Sequence, residues 1–129
     1  WQPHGIDGVG LLGKHADSFT PLEPDQVKHC IRYLVRGFAC GEIGRVATIK
    51  KRQTSYGWKH LAEDGLVHLP REGKQYVSNG AFLAACWLLG VPMKPAESGS
   101  KNAYLAIAWL PNQTLARWKP DSVQTVDWL

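Results

Sequence analysis

The most concentrated set of chemically active side chains lies between residues 45 and 60. Cations, hydroxyl groups and an aromatic ring follow one another there, and the polar ones can all hydrogen-bond a phosphate oxygen. Three of the cations stand just before a predicted helix, whose unpaired N–H groups also favour an anion. The sequence therefore predicts an anion- or nucleic-acid-binding site made of Arg45, Lys50, Lys51, Arg52, Thr54, Ser55, Tyr56, Lys59 and His60.

The positive charge of the chain is gathered in the same region. The formal net charge is +4, yet the 28–59 segment holds eight basic residues and a single acid. The remainder of the chain is therefore slightly acidic, and this asymmetry is typical of proteins with an anionic partner, most often nucleic acid. A second line of contact is predicted along the outer side of the first helix, from Lys28, Arg32 and Arg36.

Two other functions fit the same residues. A basic face also suits a protein-interaction module, such as an inhibitor or regulator that docks on an acidic partner protein. The third hypothesis is a small nuclease or phosphoryl-transfer enzyme, in which His60 and Glu63 act as an acid–base pair beside Lys59. The sequence lacks a carboxylate cluster for a catalytic metal, so a non-enzymatic binding or regulatory protein is preferred. The predicted partner is nucleic acid, DNA rather than RNA, or an acidic protein.

The familiar catalytic and cofactor motifs do not occur in the sequence. The five histidines lack the i, i+4 spacing of a helical metal pair, and no phosphate-binding loop is present. The glycines of residues 8–13 fit the spacing of a dinucleotide-binding motif, but neither a strand before them nor a long helix after them is predicted. We therefore predict no cofactor, no metal and no catalytic residue.

The cysteines and the apolar runs bear on the compartment. The three cysteines are widely spaced and odd in number, which disfavours a disulfide framework and indicates a reducing compartment. The most apolar run, Ala81 to Leu89, is too short to cross a bilayer. These features predict a cytoplasmic protein with no membrane partner.

Three helices are expected from hydrophobic spacing and from capping residues. The clearest runs from Pro24 to Cys40, with proline near its start and Gly41 as its C-cap. A second is predicted from Ser55 to Asp64, with Trp58 on its apolar face, and Gly65 ends it. The third, Gly80 to Leu89, is apolar on nearly all sides and is expected to be buried.

Strand signals lie between and after these helices. A short strand is expected within residues 41–51, a strand–turn–strand hairpin over 66–77, and a further strand over 103–110. The order predicts a compact α+β domain of about three helices with a β-hairpin and a further strand. A helix followed by a hairpin resembles the winged-helix arrangement of DNA-binding proteins, although two closely spaced helices precede the hairpin there. The predicted divisions are an irregular Gly-rich arm (1–19), a core domain (20–111) and a C-terminal tail packed on the core (112–129).

Overall fold

The computed structural model of the chain describes residues 5–12, 20–67 and 74–110. Three helices and a three-stranded antiparallel sheet confirm the predicted α+β class. Within these ranges, no helix is long and apolar enough to cross a membrane. The elements in chain order are α1 (Pro24–Cys40), β1 (Ile43–Thr54), α2 (Ser55–Asp64), α3 (Asn79–Leu88), β2 (Met93–Pro95) and β3 (Ala103–Trp109).

The core is built around α3. This helix is buried from Asn79 to Cys86, and α1 packs chiefly on it through the side chains that recur on one helical face. Pro24 suits the first turn of α1 because its missing N–H would be unpaired there in any case. Gly41 ends α1 in a left-handed conformation, with φ at 84°, which turns the chain into the sheet.

The sheet has the order β1–β3–β2, so β3 is its central strand. The hairpin of the fold is formed by β2 and β3 and follows α3. Two helices, α2 and α3, therefore precede the hairpin. Strand β2 was not predicted, because it is only three residues long, follows Pro92 and itself ends in Pro95.

The hairpin expected over 66–77 is not seen in the part of that segment that the structure describes. The backbone donors there are bound to side chains and to α2 instead of to a partner strand. The N–H of Val67 donates to the carboxylate of Glu42, while those of Gln75 and Val77 donate to Glu63. Residues 68–73, which include the predicted turn, lie outside the described residues.

Strand β1 is longer than predicted and irregular. Its pairing with β3 starts at Ile43 opposite Trp109, and the register then shifts twice before Thr54 meets Tyr104. Each shift leaves extra residues in β1 that no β3 residue faces. Such bulges bend a strand and re-aim its side chains, so the 46–53 stretch presents a largely exposed surface.

The described part of the N-terminal segment packs against the start of α3. Asp7 forms a tight turn there, in which its carboxylate accepts the N–H groups of Val9, Gly10 and Thr20. A β-carbon added to Gly80 would lie 1.6 Å from the Asp7 carbonyl oxygen, so this approach requires glycine in α3. The predicted tail and parts of the predicted arm, residues 1–4 and 13–19, lie outside the described residues.

Candidate nucleic-acid interface

Four exposed cations lie on the two strands that flank β3, and we call them the basic surface: Lys50, Lys51, Arg52 and Lys94. The Lys51 ammonium approaches Lys94 so closely that, through this contact and its charge, it lowers the pKa of Lys94 from the ordinary value. Among the residues that the structure describes, no carboxylate forms an ion pair with any of the four. The surface is therefore positively charged and uncompensated there.

Arg45 and Thr54 border this surface on β1. Arg45 is exposed, but its guanidinium donates a hydrogen bond of 2.8 Å to the Leu89 carbonyl and lies 4.7 Å from the centre of the Phe38 ring. These contacts tie β1 to the end of α3, and they leave only part of the guanidinium for a ligand. Thr54 occupies the N-cap position of α2 without a capping hydrogen bond from its side chain.

The predicted second line of contact lies on α1. Lys28 is exposed, whereas Arg32 and Arg36 are half-buried. The two predicted sets of cations are thus carried by different elements, α1 and the sheet. Of these cations, those of β1 form one surface, and the structure adds Lys94 of β2 to it, a residue that was not among the predicted contacts.

Ser55 and Lys59, two of the predicted contacts, lie inside the fold. The Ser55 hydroxyl accepts the N–H of Ala103 at 3.1 Å and joins the start of α2 to β3. Lys59 is only 5% exposed, and its Nζ lies 3.2 Å from Glu63 Oε2, one turn further along α2. Both side chains were expected to contact phosphate from the surface, and the structure gives them internal partners instead.

Glu63 is the centre of this internal group. Its buried carboxylate accepts hydrogen bonds from Lys59, from the N–H of Val77 at 3.2 Å and from Nδ1 of His60 at 2.9 Å. Burial alone raises the pKa of a carboxyl group, but these hydrogen bonds and the Lys59 charge outweigh it, so the pKa of Glu63 lies below its ordinary value. The ionised carboxylate therefore anchors residues 75–77 to α2.

The contact between His60 and Glu63 joins two residues of the nuclease hypothesis. The His60 side chain is half exposed, and its ring meets Tyr56 edge-on at 4.7 Å between centroids. Within the described ranges, no group of three or more histidine, cysteine, aspartate or glutamate side chains is placed to hold a metal ion. Burial raises the pKa of the three cysteine thiols, which keeps them protonated and unlike an activated nucleophile: Cys30, Cys40 and Cys86.

A cleft of about 510 Å³ opens beside α2. Its wall is made by α2, the N-terminal segment, the start of α1, the start of α3 and the loop between β2 and β3. The wall includes Lys59 and two exposed tyrosines, Tyr56 and Tyr76. The Lys59 Nζ lies 4.5 Å from the centre of the Tyr76 ring and 5.2 Å from that of Tyr56. These cation–π contacts fix the ammonium and both rings relative to each other.

Asn79, the first residue of α3, closes another side of the cleft and is only 7% exposed. Its Nδ2 lies 3.0 to 3.1 Å from three acceptors, the carbonyls of Val9 and Lys101 and the Oδ1 of Asn102. Its own Oδ1 is buried and has no donor among the described residues. A buried acceptor without a donor lowers the stability of the fold by about 1–3 kcal/mol, and such groups are rare in proteins.

Sequence reasoning missed the cleft. It is assembled from five segments of the chain, and neither Tyr76 nor Asn79 stands in a motif. The i, i+4 spacing of Lys59 and Glu63 on a predicted helix was the one available signal for their ion pair.

Helix α3 is too deeply buried to contact the bases of a double-stranded DNA. In a helix-turn-helix protein the second helix enters the major groove and reads base edges, but here α3 is buried from Asn79 to Cys86. A nucleic acid would meet the sheet side of the domain instead.

Comparisons with models of protein families, with curated proteins and with solved structures found no match to this chain.

Proposed function

We propose that this protein binds nucleic acid through the basic surface of β1 and β2. One observation carries the proposal. Four exposed cations are held on the strands that flank β3, two of them close enough for one to lower the pKa of the other, and no carboxylate of the described residues pairs with them. Like charges repel, and a row of phosphate groups is the partner that relieves this repulsion.

The mode of binding follows from what the surface offers. Lysine and arginine side chains contact phosphate oxygens, which position a nucleic acid but carry no sequence information. The helix that could read a major groove is buried, and so we propose backbone binding without sequence preference on this surface. Affinity then comes mainly from counterion release and falls steeply with salt.

The same four cations would also suit an acidic partner protein, so the first experiment must separate the two partners. We propose titration of the purified protein against fluorescent double-stranded DNA, single-stranded DNA and RNA, at low and at physiological salt. Substitution of Lys51→Ala should weaken binding. The matched control is Lys74→Ala, an exposed lysine that is paired with Asp64 away from the basic surface, and it should leave binding unchanged.

Either of two results would overturn the proposal. Absence of binding at low salt would remove nucleic acid as the partner and would turn the search to acidic proteins. Equal loss of affinity in the Lys51 and Lys74 variants would mean that net charge, and not the basic surface, determines binding.

A second candidate function, cleavage of the bound strand by general acid–base catalysis, is favoured by one contact. The buried Glu63 carboxylate holds Nδ1 of the half-exposed His60 at 2.9 Å, and a carboxylate in this position sets the tautomer and orientation of an imidazole. Incubation of labelled nucleic acid with the wild-type protein and with a His60→Gln variant tests it. Products that depend on His60 would support cleavage, and intact substrate with the wild-type protein would eliminate it.

A further inference from the structure

The cleft and the basic surface adjoin each other. Lys94 of the basic surface pairs with Tyr104 on β3, and Asn102, two residues before Tyr104, lines the cleft. On the β1 side, Arg52 and the cleft residue Tyr56 are separated by three residues at the junction of β1 and α2. Two residues of extended chain span roughly 7 Å. The basic surface and the cleft are therefore separated by only a short length of backbone on each side.

Tyr76 gives the cleft an aromatic wall. Its side chain is 64% exposed, and the Lys59 ammonium lies 4.5 Å from its ring centre. The Glu63 carboxylate fixes the neighbouring Val77 backbone, so the ring is held on an anchored segment. Exposed aromatic rings beside a positively charged groove are the platforms on which single-stranded nucleic acids stack their bases.

The inner wall of the cleft is polar and incompletely paired. Asn79, Asn102 and Lys59 line it, and the Lys59 ammonium carries three N–H donors, one of which is bonded to Glu63. The edge of a nucleobase presents donors and acceptors side by side. A base that enters the cleft brings hydrogen-bonding groups to a wall that has unused capacity for them.

From these observations we infer that the cleft receives one unpaired nucleobase, which stacks on Tyr76 while the adjoining phosphates lie on the basic surface. The inference rests on the proposed function and adds its ligand class, single-stranded nucleic acid. A cleft of about 510 Å³ is of the size that holds small ligands. A base that is paired and stacked within a duplex cannot enter such a cleft without being flipped out.

The test uses a short single strand that carries one 2-aminopurine, a fluorescent base whose emission changes on stacking, and the matching duplex. We expect the wild-type protein to bind the single strand more tightly than the duplex and to change the 2-aminopurine emission. A Tyr76→Ala variant should bind the single strand at least about fivefold more weakly, since a base–aromatic stack contributes that much or more.

The matched control is Trp87→Ala. Trp87 is also half exposed, but it lies eight residues, roughly 12 Å, along α3 from the cleft residue Asn79. This variant should keep wild-type affinity. Circular dichroism of both variants shows whether they are folded. The change in 2-aminopurine emission is measured on the wild-type protein, so it tests base stacking even if a variant does not fold.

The outcomes separate the inference from the proposed function. Binding that depends on the basic surface, but that is equal for single strand and duplex or unaltered in Tyr76→Ala, overturns the cleft inference and leaves nucleic-acid binding standing. Displacement of the labelled strand by free adenosine monophosphate at low millimolar concentration would show that the cleft binds a free nucleotide. That result would overturn the assignment of single-stranded nucleic acid as its ligand. Absence of binding to any strand overturns both.

Discussion

Removal of the three β1 cations of the basic surface has an effect that can be worked out from the structure. Each phosphate that a protein neutralises contributes about 0.7 for a single strand, or about 0.9 for B-DNA, to the slope of log affinity against log salt. With Lys94, the basic surface offers four cations, so full engagement gives a slope between about −2.8 and −3.6. Affinity should then fall roughly 50- to 150-fold between 50 and 200 mM salt.

The variant with Lys50, Lys51 and Arg52 all replaced by alanine leaves Lys94 alone. Its slope should be about −0.7 to −0.9, and its affinity should change only about threefold over the same salt range. Because the three side chains are exposed and have no ion-pair partner among the described residues, the free energy of unfolding should stay within about 0.5 kcal/mol of the wild type.

The assay is fluorescence anisotropy at several salt concentrations, with urea unfolding as the control for stability. A folded triple variant that keeps the wild-type slope would refute the location of the binding surface. A wild-type slope near −6 would show that the α1 cations also contact phosphate, because the four cations of the basic surface and the three of α1 would then be engaged.

Three further outcomes are expected. Replacement of Glu63 by glutamine leaves the buried Lys59 ammonium without its counter-charge and should lower the free energy of unfolding in urea by roughly 3 kcal/mol. Because the pKa of Glu63 is lowered in the folded state, its carboxylate stabilises the protein above about its ordinary pKa of 4.5. That stability is lost as the pH falls through the lowered value, so acid unfolding should be less steep in Glu63→Gln. Replacement of Gly80 by alanine forces the Asp7 carbonyl away and should cost about 1–3 kcal/mol, measured by thermal unfolding. The buried thiols should react with a thiol reagent at pH 8 only after denaturation, and rapid labelling of the folded protein would contradict their burial.

The helices could be predicted from the sequence because their signals are local. Proline at the start of α1 and Gly41 after its end give the observed bounds, Pro24–Cys40. The bounds of α2 also agree with the prediction, and α3 differs by one residue at each end. Capping residues flank each helix, α1 and α2 show a 3.6-residue apolar period, and α3 is a short run that is apolar on nearly all sides.

The sheet was harder to predict because its partners are distant. The apolar residues of 66–77 resemble a hairpin, yet their backbone donors are bound by two carboxylates, Glu42 and Glu63, which no local pattern reveals. The true hairpin includes a three-residue strand that follows one proline and ends in another. The two register shifts of β1 likewise depend on β3, which lies about fifty residues further along the chain.

The candidate site also has a part that could be predicted from the sequence and a part that could not. The exposed cations of β1 follow from charge counting along the chain. The burial of Lys59 could not be predicted, because a lysine is normally exposed and its ion pair becomes buried only when residues 75–77 and the N-terminal segment cover it. Asn79 joins the cleft through contacts with residues 9, 101 and 102, which are separated from it by between 22 and 70 positions.

These contacts of Asn79 also bear on how the chain folds during its synthesis. One amide group binds the carbonyls of both Val9 and Lys101, so the docking of the N-terminal segment is complete only after residue 101 is made. Helix α1 and the turn around Asp7 form from local contacts, whereas the docking of that turn needs α3 and then residue 101. Non-local contacts of this kind slow folding. The N-terminal segment is thus expected to be the last part of the domain to become protected from proteases as the chain leaves the ribosome.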